Sequence, residues 1–154
     1  MRRAALAAFR YLPRPVRRLL VHLAGPSFSV GAVAVMRRDD GQALFVDQRH
    51  TGGWALPGGL LQRRERAEAG VVREIFEEVG LRLDESALPV PVAAVDPFAR
   101  RVDLVFVVDL PNDAQPRVGD DPEVRRMGWF PLEPDALPAV TDPTRFILRS
   151  IRLL

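Results

Sequence analysis

The 154-residue sequence predicts an α/β fold, with a mixed β-sheet covered by helices on both faces and preceded by an amphipathic helix. Short runs rich in Val and Ala, typical of buried strands, are interspersed with segments whose apolar residues recur every three or four positions, typical of helices. With 47% apolar residues the chain can bury one sizeable core, and its length corresponds to about one domain. We therefore expect a basic arm and helix at 1–26 and one domain at 27–154.

The N-terminal helix is predicted from an apolar stripe at positions i, i+3, i+4 and i+7. The stripe consists of Val16, Leu19, Leu20 and Leu23. Pro15 suits the first turn of a helix, and Gly25-Pro26 ends it. Two interpretations remain open. Either the stripe packs onto the sandwich or across a dimer interface, or the arginines of this segment contact an anionic surface or a polyanionic substrate. These arginines are Arg2, Arg3, Arg10, Arg14, Arg17 and Arg18.

The strands are predicted from short runs rich in β-branched residues that turn signals separate. They cover 28–36, 43–47, 54–56, 92–96, 102–110 and 125–130. Asp39-Asp40-Gly41 is a turn signal, so the first two strands should form a hairpin. Pro57-Gly58-Gly59 is expected to form a tight turn.

The remaining elements are helices and one long loop. Residues 67–79 predict a helix, although Gly70 inside it costs roughly 1 kcal/mol relative to Ala. A polar segment rich in Pro, Gly and Asp predicts a loop at 111–122. A short helical turn is expected at 133–137 and a closing helix at 143–153.

The segment from Gly59 to Leu81 contains the most informative pattern in the chain. Five of the eight glutamates lie within it, and three of these stand at i, i+3 and i+4, so they should share an exposed face of the helix. These three are Glu74, Glu77 and Glu78. Carboxylates crowded in this way repel one another unless a cation neutralises them, and Mg²⁺ prefers such a cluster of oxygens.

This pattern resembles the Nudix box, the signature of the Nudix hydrolases. The matching fixed positions are Gly59, Glu65, Arg73, Glu74, Ile75, Glu77, Glu78, Gly80 and Leu81. The resemblance implies an α/β/α sandwich and hydrolysis of a pyrophosphate bond in a nucleoside diphosphate linked to another moiety, such as a nucleoside triphosphate or ADP-ribose. The alternative is a non-catalytic Nudix-fold module that senses a nucleotide or binds a partner. Retention of all four box glutamates favours the enzyme.

The resemblance also implies roles for the residues around the metal. The expected Mg²⁺ ligands, with Mn²⁺ as a substitute ion, are Glu74, Glu77 and Glu78. Glu65 is a further ligand or a brace, and a backbone carbonyl at Gly58 completes the metal shell. Arg73 can pair with Glu77 at i+4 and hold it in place, which places both among the expected catalytic residues.

Three further positions outside the box are similar to functional residues of MutT-type members. Glu123 has the spacing of a distal carboxylate that acts as general base, with Asp120 and Asp121 as competitors. Arg49 resembles an arginine that contacts phosphate. Thr141 stands where those members carry a purine-contacting Asn. Because Thr lacks the paired donor and acceptor of an amide, oxidised guanine nucleotides are disfavoured as substrates.

Composition excludes several other functions. The chain has no cysteine, so it has no disulfide, thiolate zinc site or cysteine nucleophile. It has no lysine, which excludes a P-loop or Schiff-base lysine. No apolar run approaches the ~20 residues of a membrane span, and the apolar run at 4–9 is too short for a secretion signal. We expect a cytoplasmic protein that binds a small nucleotide derivative and no nucleic acid, as a monomer or a homodimer.

Overall fold

The computed structural model describes residues 9, 11–25 and 27–154. In this part of the chain the helices are α1 (Arg14–Ala24), α2 (Ala67–Val79) and α3 (Asp142–Ser150), with a 3₁₀ turn at Glu85–Ala87. The strands are β1 (Ser29–Arg37), β2 (Gln42–Gln48), β3 (Trp54–Ala55), β4 (Gly58–Leu60), β5 (Val92–Asp96), β6 (Arg101–Asp109) and β7 (Val124–Pro131). Of the predicted basic arm and helix at 1–26, residues 1–8, Arg10 and Pro26 lie outside the described residues.

All seven strands belong to one mixed sheet, as the sequence predicts. β1 runs parallel to β6 along its whole length, and β5 pairs antiparallel with the other edge of β6. β2 pairs antiparallel with β7 on one side and with β3 on the other. The β1–β2 hairpin pairs only at Arg37 and Ala43, after which the two strands diverge and β3 and β4 fill the space between them.

The sheet separates two apolar cores because side chains alternate between the faces of a strand. Ala32, Ala34 and Met36 of β1 pack against the α2 side, where the helix contributes Val71, Ile75 and Val79. Val33 and Val35 of β1 pack on the opposite face, where α3 contributes Ile147 and Leu148. The chain is therefore an α/β/α sandwich, and the predicted fold class is confirmed.

The prediction of a tight turn at 57–59 is wrong. Gly58–Leu60 forms β4 and pairs antiparallel with β1, and the Pro57 carbonyl accepts a hydrogen bond from the Ala34 N–H at 2.9 Å. Because β2 diverges, that edge of β1 has main-chain groups that need partners, and β4 supplies them. Gly58 has φ of +138°, and a Cβ there would lie 2.6 Å from Val33 Cα, so only glycine fits.

The apolar stripe of α1 does not pack onto the sandwich. Its exposed fractions are 39% for Val16, 56% for Leu19, 42% for Leu20 and 72% for Leu23. That part of the sequence interpretation is wrong, and burial of the stripe across a dimer interface stays a prediction. Across the described ranges, no helix combines the length and the apolar character that crossing a membrane requires.

The C-terminal elements differ in detail from those predicted. The expected helical turn at 133–137 is a single hydrogen-bonded turn, in which the Leu137 N–H donates to the Glu133 carbonyl at 2.9 Å. The closing helix ends at Ser150 and not at 153. There Arg152 adopts φ of +60°, and the Leu153 N–H donates back to the Leu148 carbonyl at 2.9 Å. This local hydrogen bonding ends the helix earlier than its apolar pattern suggests.

Candidate active site

A cavity of about 680 Å³ lies where β4, α2, the loop before β7 and the start of α3 meet. Its polar lining comes from acidic, basic, amide and hydroxyl side chains and from the glycines of β4. These residues include Gln48, His50, Thr51, Gly58, Gly59, Glu74, Glu78, Arg101, Asp121, Glu123, Thr141 and Thr144. Val33, Leu56 and Ile147 line an apolar part of the wall. A site with one polar and one apolar part suits a ligand that joins phosphate to a less polar group.

Glu78 is the most deeply buried acidic residue of the site, with 1% of its surface exposed. One carboxylate oxygen accepts a hydrogen bond from the Gly58 N–H at 2.8 Å, and the other accepts one from Gln48 Nε2 at 2.7 Å. Burial raises the pKa of Glu78 to about 8, and the negative charges of Glu74 and Asp121 add to the rise. The expectation that all three clustered glutamates lie on an exposed face is therefore wrong for Glu78.

Glu74 lines the same cavity and approaches the backbone of β4. A Cβ at Gly59 would lie 2.7 Å from the carboxyl carbon of Glu74, so a side chain at position 59 would displace this carboxylate. Burial raises the pKa of Glu74, and the negative charges of Glu77 and Asp121 contribute. Glu74 and Glu78 are thus two crowded, partly desolvated carboxylates that a cation would stabilise.

Arg73 binds three box glutamates and holds them in place. Its Nε and Nη2 donate to the two oxygens of Glu65 at 2.8 and 3.0 Å, a forked pair. Its Nη1 donates to Glu74 at 2.8 Å and to Glu77 at 3.1 Å. The hydrogen bonds from Arg73 lower the pKa of Glu65, which also accepts from the Gln62 N–H at 2.7 Å. Glu65 is thus paired with Arg73, and both predicted roles, a further metal ligand and a brace, stay predictions.

Glu77 lies apart from the other two predicted metal ligands. Its side chain is 47% exposed, it pairs with Arg73, and it is not among the residues that line the cavity. In a helix with 3.6 residues per turn, the residue three positions after Glu74 and the residue four positions after it lie on opposite sides of Glu74. Glu77 and Glu78 therefore flank it. In the part of the chain that is described, no three acidic or histidine side chains are gathered to hold one metal ion. The metal-binding role of Glu77 stays a prediction.

The loop before β7 docks on the C-terminal end of α2, a feature that the sequence does not reveal. The N–H groups of Arg117, Gly119 and Asp121 donate to the carbonyls of Val79, Glu78 and Glu77 at 3.0, 2.9 and 3.0 Å. A Cβ at Gly119 would clash with the Glu77 carbonyl, so the close approach depends on glycine. This docking brings the acidic end of the loop to the cavity.

Of the candidates for the distal carboxylate, Asp121 and Glu123 line the cavity and Asp120 does not. Asp121 accepts a hydrogen bond from the Glu123 N–H at 2.8 Å, which shapes the loop. Glu123 lies 3.2 Å from Nδ1 of His50, and both side chains are exposed. Glu123 therefore has an exposed side chain at the cavity that pairs with His50, whereas the carboxylate of Asp121 is bound to the loop backbone.

Arg49 and Thr141 both have structural partners. The side-chain Nε of Arg49 donates to the Pro122 carbonyl at 2.9 Å, and the backbone N–H of Arg49 donates to the Glu123 carbonyl at 2.8 Å. Arg49 therefore anchors this loop. Thr141 caps α3 and donates to the hydroxyl of the buried Thr144 at 3.0 Å. Thr141 also lines the cavity, whereas Arg49 is not among the lining residues. Their contacts with a substrate stay predictions.

Sequence reasoning missed Gln48 and Thr144. Gln48 is the side-chain partner of Glu78, and Thr144 accepts a hydrogen bond from the Leu56 N–H at 3.2 Å, which ties α3 to the strand edge beside the cavity. Both contacts join residues far apart in the chain, at separations of 30 and 88. No local pattern signals either of them.

Comparison with known proteins establishes the family. A family model described as the NUDIX domain matches residues 27–147, and the chain belongs to the Nudix hydrolase family. A MutT-like protein of Streptomyces ambofaciens is 41% identical over 63 residues, which is 41% of this chain and 41% of that protein. The chain thus spans less than half the length of this curated relative.

Solved structures confirm the fold. The crystal structure of a MutT Nudix hydrolase from Burkholderia pseudomallei is 33% identical with a TM-score of 0.63, covering 80% of this chain and 97% of that one. A bifunctional NMN adenylyltransferase/ADP ribose pyrophosphatase from Francisella tularensis, complexed with AMP and a Mn ion, has a TM-score of 0.68. It is 18% identical over 88% of this chain and 44% of that chain, which shows a shared fold alone.

Proposed function

We propose that this protein is a divalent-cation-dependent pyrophosphohydrolase that acts on a nucleoside diphosphate linked to another moiety. The proposal rests on one observation: Glu74 and Glu78 are desolvated side by side on the wall of a cavity of about 680 Å³. Two crowded carboxylates in this position favour a bound cation. Membership of the Nudix hydrolase family supports the same reaction class.

The donor set fits Mg²⁺, with Mn²⁺ as a substitute. Carboxylate and backbone carbonyl oxygens are hard ligands of the kind these ions prefer. Glu74 and Glu78 would hold the ion together with the Gly58 carbonyl. Pro57 and Leu61 both form main-chain hydrogen bonds with β1. In an antiparallel pair only every second residue bonds to the neighbouring strand, so the main-chain groups of Gly58 point away from β1 and toward Glu78. When bound, such an ion neutralises phosphate charge and makes a coordinated water more acidic.

The other residues of the site have distinct roles in the proposed reaction. Arg73 holds Glu74 and Glu77 through its hydrogen bonds and keeps the carboxylates oriented. Glu123 takes a proton from the attacking water, since it lines the cavity and its side chain is exposed enough to reach a ligand. Arg49 holds the backbone of the Glu123 loop in place, and its guanidinium would contact a phosphate oxygen of the substrate.

The apolar part of the cavity wall indicates which moiety is attached to the diphosphate. Leu56, Val33 and Ile147 offer an apolar wall that suits a nucleoside. The Francisella structure was solved with AMP, and its name includes ADP ribose pyrophosphatase. Nucleoside triphosphates and ADP-ribose are therefore the first compounds to test, followed by NADH and sugar nucleotides.

The test is a hydrolysis screen of these compounds with Mg²⁺. Cleavage of a diphosphate diester yields phosphomonoesters, from which alkaline phosphatase releases inorganic phosphate, whereas the intact diester is resistant. For triphosphates, intact substrate is itself cleaved by that phosphatase, so pyrophosphate release is measured with inorganic pyrophosphatase. We expect turnover of at least one compound by the wild-type protein.

The matched variants are Glu123→Gln and Asp120→Asn. We expect Glu123→Gln to lower turnover about 10²–10⁴-fold with little change in Mg²⁺ affinity, because removal of a general base has that effect. Asp120→Asn should stay close to wild type, since Asp120 does not line the cavity. Nucleotide binding without turnover by the wild-type protein would identify a non-catalytic module and overturn the proposal.

A further inference from the structure

The charges of the chain are divided sharply between its two parts. Residues 1–26 contain six arginines and no acidic residue. The rest of the chain carries 16 arginines and all 20 acidic residues, so its formal net charge is −4 while that of the N-terminal segment is +6. A segment that is this basic next to an acidic domain favours an anionic partner for the segment alone.

Helix α1 combines this charge with an exposed apolar face. Leu19 and Leu20 are 56% and 42% exposed, and Leu23 beside them is 72% exposed. At 3.6 residues per turn, Arg14 and Arg18 fall on the face opposite this stripe, and Arg17 falls at its border. The two cores of the sandwich form without any α1 residue that the structure describes. The helix is therefore strongly amphipathic, and among the described residues its apolar stripe belongs to neither core.

We propose that α1 binds the surface of a bilayer that contains anionic phospholipid, with its apolar stripe toward the acyl chains and its arginines at the headgroup phosphates. A basic amphipathic helix of low overall hydrophobicity binds membranes in this orientation. Arg17, at the border of the stripe, can extend its stem along the apolar surface while its guanidinium reaches the phosphates. Arg14 and Arg18, on the opposite face, add electrostatic attraction to the anionic surface. The net negative charge of the domain at 27–154 is repelled by the same surface, so α1 is the attachment and the domain stays in solution.

Other occupants satisfy only one of the two features. A soluble polyanion would pair with the arginines and leave the apolar stripe exposed. A second copy of α1 would cover the stripe but would bring two segments of charge +6 together. An anionic bilayer satisfies both the apolar face and the charge.

The experiment is sedimentation of the full chain with vesicles of phosphatidylcholine mixed with phosphatidylserine, compared with vesicles of phosphatidylcholine alone. We expect binding to the anionic vesicles only. We also expect release at high salt, because the screening length falls from about 10 Å at 0.1 M to about 3 Å at 1 M. Binding that is equal for both vesicle types, or absent from both, would overturn the proposal.

Two double variants separate charge from insertion. Arg17→Gln with Arg18→Gln should lower the partition constant about thirtyfold, since each arginine near an anionic surface contributes about a fivefold factor. Leu19→Gln with Leu20→Gln should lower it by at least about tenfold, because the buried apolar area is lost while helix propensity is kept. Arg63→Gln with Arg64→Gln removes the same charge from an exposed pair on the domain and is the matched control, with unchanged binding.

Each remaining outcome decides between the occupants. Binding that survives the leucine changes but not the arginine changes would indicate a purely electrostatic contact and refute insertion. A dimer in sedimentation velocity that the leucine changes convert to a monomer, without vesicle binding by the wild-type protein, would identify a second copy as the occupant. Loss of hydrolysis in solution by the leucine variant would show that α1 belongs to the folded core and would also refute the proposal.

Discussion

Replacement of Glu78 by Gln should make the metal-free protein more stable at alkaline pH. Burial raises the pKa of Glu78 from 4.5 to about 8. The folded protein therefore keeps a proton between these pH values that the unfolded chain has released, and its stability falls as pH rises through that window. The difference between the two pKa values corresponds to a loss of up to about 5 kcal/mol in the free energy of unfolding above pH 8. This is an upper bound because water that enters the site stabilises a buried charge.

The Gln side chain can keep the local hydrogen bonds. Its oxygen accepts from the Gly58 N–H, and its NH₂ group donates to Gln48 once the Gln48 amide turns over and presents its oxygen. The variant therefore removes the ionisation and preserves the contacts. Titrating groups that do not interact with Glu78 affect both proteins equally, so the difference in unfolding free energy between variant and wild type reports Glu78 together with its coupling to Glu74 and Asp121.

The assay is urea unfolding in EDTA, near pH 5 and near pH 9. We expect the two proteins to be within about 1 kcal/mol of each other at the lower pH and the variant to be more stable by several kcal/mol at the higher pH. Glu133→Gln, at an exposed carboxylate, should follow the wild-type profile. Added Mg²⁺ should stabilise the wild-type protein more than the variant at pH 9. A stability difference that does not change with pH would refute the burial argument.

Two further predictions concern the supports of the site. Gly119→Ala should lower the unfolding free energy by about 1–3 kcal/mol and reduce turnover, because its Cβ clashes with the Glu77 backbone and displaces the loop that carries Asp121 and Glu123. Gly52→Ala, where a Cβ meets nothing within 4 Å, is the stability control, and equal unfolding curves for the two variants would contradict the docking argument. Arg73→Lys should weaken Mg²⁺ binding about 10–100-fold in a calorimetric titration, since an ammonium cannot reproduce the fork to Glu65 and the contacts to Glu74 and Glu77. Arg66→Lys, at an exposed ion pair, should bind Mg²⁺ as the wild type does, and the same affinity in the Arg73 variant would remove the bracing role.

Local patterns predicted the elements whose causes are local. The helix over 67–79 and the strand over 92–96 have the predicted bounds, because a continuous periodicity and clear end signals define both. Arg73 pairs with Glu77 as the i, i+4 spacing predicts. The absence of a side-chain cap at Arg66 also follows from residue type, since Arg offers no acceptor to the first helical N–H groups.

Features that depend on distant partners could not be predicted in this way. Gly58–Leu60 is a strand because β2 leaves the edge of β1 open, which no property of Pro57-Gly58-Gly59 reveals. Helical spacing places Glu77 near Glu74, but Arg73 and the geometry of the helix keep it outside the cavity. An apolar stripe indicates that Leu19 and Leu20 need a partner without stating where that partner lies.

The most direct test of the central claim, that Glu74 and Glu78 hold the cation for pyrophosphate hydrolysis, is turnover at saturating substrate across a Mg²⁺ titration. The measurement compares the wild-type protein with Glu74→Gln and Glu78→Gln. We expect both variants to need far more Mg²⁺ and to lose at least about a hundredfold in turnover at limiting Mg²⁺. Near wild-type turnover by either variant under those conditions would show that its carboxylate does not hold the catalytic cation.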